Sequence, residues 1–325
     1  MVDLTRLSSG QFLIIGRAGM DFYADPPGTR LEDGARFVTA LGGSSANIAA
    51  GLCKLGCAAA LVTCVSDDPV GIYCENQLDH YGIDRRFVRR VGGEARNSLA
   101  VVDTNGDATQ AVIYRNGAAD FEMAMQDVVD LPYGDYAALI TTGTVLAAEP
   151  SRAATLHAFE AAKAAGLMLI FDVDYRPYSW ASADEAAAVY SRAGALCDII
   201  IGNDVEFGFM AGDYDRGLAK ARALAAEGKL VVYKMGHLGS IVLTGDDEQR
   251  YGIYQTDAIK PTGAGDSFMA GLISSLAEGR PFAEAISRGS AAAAMVVARV
   301  GCAPAMPDPE ELDAFLADNG QLART

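Results

Sequence analysis

The chain has 325 residues, half of them hydrophobic, enough for one large α/β core or two smaller ones. Its formal net charge is −16 and its pI about 4.5, which argues against nucleic acid or an anionic membrane surface as partner. An anionic substrate must then be held by a few well-placed basic groups, although solubility alone would account for the acidity.

Gln11–Gly16 predicts a short apolar strand, Ser44–Leu55 an Ala-rich helix, Ala59–Val65 a buried strand, Val70–Tyr81 a helix, and Arg86–Val91 a strand. Further strands are expected at Ala137–Thr142, Leu167–Asp172, Asp198–Ile201, Leu230–Lys234 and Ser240–Thr244. Ala-rich helices are expected over Ser151–Ala165, Ser182–Ala195 and Arg216–Ala226. Apolar runs of about five residues alternating with longer helical segments imply an α/β fold, a mostly parallel sheet covered by helices on both faces. Ligands in such folds bind beyond the carboxyl ends of the strands.

Two stretches break the alternation. Residues 17–41 are polar and turn-rich. Residues 97–118 predict an antiparallel hairpin, Ser98–Asp103 and Thr109–Tyr114 around the turn Thr104-Asn105-Gly106-Asp107. They read either as a small β lid inserted in a single domain spanning 1–325 or as strands that extend the sheet edge. Six cysteines without a C-x-x-C pair, and only three histidines, argue against a disulfide framework and a zinc site. The N-terminus lacks a signal-peptide pattern, and the apolar run Ala291–Ala298 is too short to span a bilayer, so a cytoplasmic location is expected.

The chemistry concentrates in a few turns. Thr262-Gly263-Ala264-Gly265-Asp266 precedes a segment whose Phe268, Leu272, Ile273 and Leu276 share a helical face. The N–H groups of Gly263, Ala264 and Gly265 would point outward at a helix start, where an anion is favoured. Asp266 is a poor neighbour for a resting phosphate. Either it accepts a proton from an attacking hydroxyl while the N–H groups hold a phosphoryl group, or it simply caps the helix. Gly42-Gly43-Ser44-Ser45-Ala46-Asn47 is a second Gly-rich turn opening a helix, with Asn47 one turn in, where its amide can reach a hydroxyl. Asp172-Val173-Asp174-Tyr175-Arg176-Pro177 follows a strand. Arg176 there could fork onto a carboxylate or phosphate, or pair with one of its own aspartates. Asn203 and Glu206 also follow a strand, where a carboxylate can orient water around Mg²⁺. Lys234, Gly236 and Gly239 lie in a turn whose glycines permit flat contact with a nucleotide. Gly16-Arg17-Ala18-Gly19, after the first strand, does not fit a dinucleotide-binding G-x-G-x-x-G.

Together these clusters resemble the ribokinase-like (pfkB) carbohydrate kinases, from about Phe12 to Pro307. The resemblance implies a three-layer α/β/α sandwich with a small β lid, and ATP- and Mg²⁺-dependent phosphorylation of a primary hydroxyl on a sugar or sugar acid. By position it implies Asp266 as base and the N–H groups of Gly263, Ala264 and Gly265 as anion hole. Asp21, Gly42, Gly43 and Asn47 would contact the sugar, and Asn203, Lys234, Gly236, Gly239, Thr262 and Gly265 the nucleotide. Glu206 would support Mg²⁺ through water. Where many members have Asp-Thr this chain has Lys260-Pro261. A lysine puts a tethered positive charge where relatives hold a monovalent cation, so weak or no activation by K⁺ is expected.

Tyr114–Asp120, Asp172–Pro177 with Trp180, and Gly301–Pro307 further resemble the 5-dehydro-2-deoxygluconokinases of inositol catabolism. The second segment also resembles 2-dehydro-3-deoxygluconate kinases. Both acceptors carry a carboxylate, and Arg115, Asp174 and Arg176 are the residues expected around it. Relatives also suggest a homodimer formed through the lid. A non-catalytic sugar or nucleotide sensor on the same scaffold is the reading of a different class.

Overall fold

The computed structural model describes residues 2–322. Its strands are β1 Gln11–Ile15, β2 Gly19–Asp25, β3 Arg36–Gly42, β4 Ala58–Ser66, β5 Asp84–Val91, β6 Leu99–Val102, β7 Ala111–Tyr114, β8 Ala138–Thr142, β9 Met168–Asp172, β10 Ile199–Asn203, β11 Leu230–Lys234, β12 Ser240–Thr244 and β13 Asp247–Tyr251. The helices are α1 Ser44–Lys54, α2 Pro69–His80, α3 Ser151–Ala164, α4 Ala183–Leu196, α5 Asp204–Ala211, α6 Gly217–Ala226, α7 Ala264–Ala277, α8 Phe282–Val297 and α9 Pro309–Asn319.

Nine strands form the main sheet in the order β13-β12-β11-β10-β9-β8-β1-β4-β5. All pairings from β11 to β5 are parallel, whereas β12 and β13 are antiparallel. Side-chain alternation divides the apolar residues of each central strand between two layers. Phe12 and Ile14 pack in a core with α1, α7 and α8, while Leu13 and Ile15 pack in another with α3 and α4. Burial on both faces explains the unbroken apolar runs of the sequence. The strand β13 escaped the sequence reading because it is an edge strand of mostly polar residues, held by its antiparallel ladder to β12 rather than by an apolar run.

The two atypical stretches do not extend the main sheet. They form a separate four-stranded sheet, β3-β2-β6-β7, antiparallel except for β2–β6. One face buries Tyr23, Ala40, Ala100 and Val102 with Val300. Its far turn reaches the segment before α7, where Gly106 N–H and Thr109 Oγ1 donate to the Ile259 carbonyl at 2.9 and 3.2 Å. The small sheet thus covers the carboxyl ends of the main strands, because β2 leaves the end of β1 and β3 feeds directly into α1.

Candidate active site

Strand register decides which side chains meet at that edge. Thr142 is paired with Asp172, and Asn203 with Lys234, so the last residues of β8 to β11 form a polar row. Two helices start above it. Gly263 is the N-cap of α7 at φ 85°, and a Cβ there would lie 2.7 Å from Cys302 Sγ. Conformation and space both demand glycine. First-turn N–H groups have no intrahelical acceptor, so those of Gly263, Ala264 and Gly265 are available to an anion.

Asp266 sits at the third position of α7 and does not cap it; Gly263 does, without a side-chain bond. Its Oδ2 accepts a hydrogen bond from Asn47 Nδ2 at 2.8 Å. Asn47 Nδ2 thus bonds Asp266, while Asn47 Oδ1 is buried without a partner and remains open to a hydroxyl. One turn on, a Cβ at Gly51 would lie 2.6 Å from Ala270 Cβ, so α1 and α7 run side by side in the same direction. Both N-termini, and both positive dipole ends, face one point. Burial, with Asp174 close by, pushes Asp266 up to about 6 although Asn47, Arg176 and Lys234 pull it down. Asn47→Ala removes one of those restraints. The acid limb of kcat/KM should therefore move above pH 6 while kcat falls about tenfold; an unmoved limb would separate Asn47 from the charge state of Asp266.

The other expected residues gather around this point. Asp174, buried and at φ 37°, occupies a backbone region that costs a non-glycine residue energy and is frequent at functional sites. It accepts from Ser44 Oγ at 2.6 Å and pairs with Arg176 Nη2 at 2.7 Å. Burial opposes its charge, but Arg176 and Ser44 hold it below the usual carboxylate range. Burial drives the adjacent Asp172 well above that range despite Lys234. Arg115 is buried in an ion pair with Asp120, donates to the Thr144 carbonyl at 2.9 Å, and lies 4.1 Å from the Phe121 ring centre. Both arginines expected to face a substrate carboxylate thus already have a carboxylate of the protein.

On the small sheet, Asp21 lies against Gly42, where a Cβ would stand 1.9 Å from Oδ1, and Tyr23 donates to Oδ2 at 3.3 Å. Burial pushes Asp21 up to about 6, with Arg17 opposing. Gly43, the N-cap of α1 at φ 94°, packs on the Arg17 carbonyl. Asn203 and Glu206 form a capping box at the start of α5: Glu206 N–H donates to Asn203 Oδ1 at 2.9 Å, and Asn203 N–H to Glu206 Oε2 at 2.7 Å. Burial raises Glu206. Lys234 Nζ stands 3.2 Å from where a Cβ on Gly265 would be, beside the free N–H groups. Gly236 and Gly239 shape the turn from β11 to β12 with φ of 57° and 86°. Lys260 is fully buried, and its Nζ donates to the carbonyls of Thr262 at 2.7 Å and Val296 at 3.0 Å; Thr262 Oγ1 is buried without a partner. The sequence reading missed Arg17 as a member of this crevice. Its signal was position alone, just past the carboxyl end of β1.

A family model described as pfkB family carbohydrate kinase matches residues 10–309. The chain belongs to the pfkB family of carbohydrate kinases. The kinase is a phosphotransferase acting on a sugar hydroxyl. It is similar to 5-dehydro-2-deoxygluconokinase of Photobacterium profundum, 36% identical over 315 residues that cover 95% of each chain. It is similar also to that of Clostridium perfringens, 35% identical with 93% of this chain and 91% of the other covered. Among solved structures, a double-mutant fructokinase from Vibrio cholerae with fructose, ADP and potassium ion bound superposes with TM-score 0.83 at 25% identity, covering 95% of this kinase and 99% of that chain. Aminoimidazole riboside kinase from Salmonella enterica, complexed with aminoimidazole riboside and an ATP analogue, superposes with TM-score 0.78 at 25% identity, covering 94% and 99%. Among the described residues no helix is long and apolar enough to cross a membrane.

Proposed function

We propose that this kinase transfers the γ-phosphoryl group of ATP to a primary hydroxyl of a sugar acid, with 5-dehydro-2-deoxy-D-gluconate as the acceptor. The observation that carries the transfer chemistry is Asp266: one oxygen is held by Asn47, and the carboxylate borders the free N–H groups of an α-helix start. Asp266 takes the hydroxyl proton as the oxygen attacks phosphorus, while Gly263, Ala264, Gly265 and Lys234 hold the charge spreading over the phosphoryl oxygens. The names of the relatives support the acceptor. Asp21, Gly42, Gly43, Asp174 and Arg176 shape the acceptor end. Asn203, Gly236, Gly239 and Thr262 shape the nucleotide end. The lid closes over the sugar and excludes water as a competing acceptor. A ³¹P spectrum of the product should show a primary phosphate ester; an acyl phosphate, or inorganic phosphate alone, would overturn the assignment.

Among the described residues no group of three or more His, Cys, Asp or Glu is arranged to hold a metal ion. That fits Mg²⁺ arriving on the nucleotide, since Mg²⁺ keeps waters and takes phosphate oxygens, with Glu206 bonding to its waters. The ion would neutralise charge on the β- and γ-phosphates. The ammonium of Lys260 takes the part of a potassium ion, so activity should not depend on K⁺.

The outer face of the lid sheet supports self-association. Phe37, Val112 and Tyr114 share that face by register and are exposed. The wild type should sediment as a dimer and Val112→Lys as a monomer; a monomeric wild type would exclude this contact.

A further inference from the structure

A guanidinium is protonated at every accessible pH, so burying one without an anion is costly. Three arginines reach the crevice beneath the lid. Arg115 is neutralised by Asp120 and Arg176 by Asp174. Arg17 is only 7% exposed, yet among the described residues it enters no ion pair. Its Nη1 donates to a neutral acceptor, Ser98 Oγ, at 3.1 Å. Its Nε is buried without a partner, and Nη2 donates to no described group.

Nε and Nη2 form one edge of the planar guanidinium, the edge that takes both oxygens of a carboxylate in two parallel bonds. The residue is also held firmly. Its carbonyl accepts from Ala46 N–H at 3.2 Å, which pins the Arg17 backbone to the start of α1, and Ser98 fixes one end of the fork. Gly43, the N-cap of α1, packs on the Arg17 carbonyl, and the next residue, Ser44, bonds Asp174, so Arg17 adjoins the acceptor-side residues.

We propose that Arg17 determines specificity for acids: the free edge of its buried guanidinium binds the carboxylate of the acceptor, the one anion the protein itself does not supply. This rests on the sugar-acid reading above. It assigns the carboxylate to a residue at the β1–β2 turn, and leaves Arg115 and Arg176 as supports whose charges are already matched.

The test is steady-state kinetics of Arg17→Gln and Arg17→Lys with 5-dehydro-2-deoxy-D-gluconate, and with the neutral analogue carrying a hydroxymethyl group in place of the carboxylate. Arg17→Gln should raise KM for the acid about 100-fold, as expected for loss of a buried charge partner. KM for ATP should stay within about threefold, and the neutral analogue, a poor substrate from the start, should be unaffected. Arg17→Lys keeps the charge but loses the fork, so its KM should fall between; it carries the test if circular dichroism shows Arg17→Gln unfolded. Wild-type KM for the acid in a folded Arg17→Gln, or equal losses for acid and neutral analogue, would overturn the role of Arg17 and leave the sugar-acid function intact. A wild type that phosphorylates neutral sugars and no acid would overturn both.

Discussion

Asp266→Asn is expected to lower kcat by about 10²- to 10⁴-fold, the range for loss of a general base, with little change in KM for either substrate. Asparagine keeps the shape and an oxygen for the Asn47 amide, so the turn should hold. Only the proton acceptor is lost. The same assignment fixes a pH dependence. The base works ionised, and burial pushes Asp266 up to about 6, so kcat/KM should be level above that pH. It should fall about tenfold per pH unit below it. In Asp266→Asn the acid limb should disappear. A variant with wild-type kcat, or one that retains the limb, would remove Asp266 from the chemistry.

The second large effect is expected at Lys260. Its ammonium is sealed from solvent and bridges the carbonyls of Thr262 and Val296, tying the phosphate turn to the end of α8. Burial lowers its pKa, opposed by Cys302, Asp266 and Asp21, so it lies in the field of the site's own carboxylate. Lys260→Met leaves the Thr262 carbonyl without a donor, at about 1–3 kcal/mol, whereas the Val296 carbonyl keeps the Arg299 N–H. The melting temperature should drop and activity fall at least about tenfold as the turn loosens. K⁺ added to the variant should restore part of that activity by occupying the vacated space, while a tetraalkylammonium ion, too large to enter, should not. The wild type should be indifferent to either. A wild type that loses most of its activity without K⁺ would contradict this view of Lys260.

Much of this architecture was legible in the residues. The central strands and Ala-rich helices were readable to within about two residues, because burial on both sheet faces leaves runs that have no other use. The Asp266 turn and the hairpin from β6 to β7 carried their own local signals. What could not be read were contacts made across the chain. Nothing in the neighbourhood of Asn47 indicates that its Nδ2 bonds Asp266, since the two residues meet only when α1 and α7 pack side by side. The pairing of Arg176 with one of its own aspartates was one of the two readings its segment allowed, whereas that of Arg115 with Asp120, five residues on, was not anticipated. Arg17 drew no notice because its turn failed one motif, and its isolation becomes visible only once every neighbouring carboxylate has been placed.

The central claim, that the kinase phosphorylates a sugar acid, is tested most directly by coupled ADP release from the wild type over matched sugar acids, neutral sugars and nucleosides with Mg²⁺ and ATP. The acids, 5-dehydro-2-deoxy-D-gluconate foremost, should give the highest kcat/KM, and the neutral compounds should be poorer by at least about 100-fold. Faster turnover of a neutral sugar or a nucleoside, or no ADP release with any acid, would contradict it.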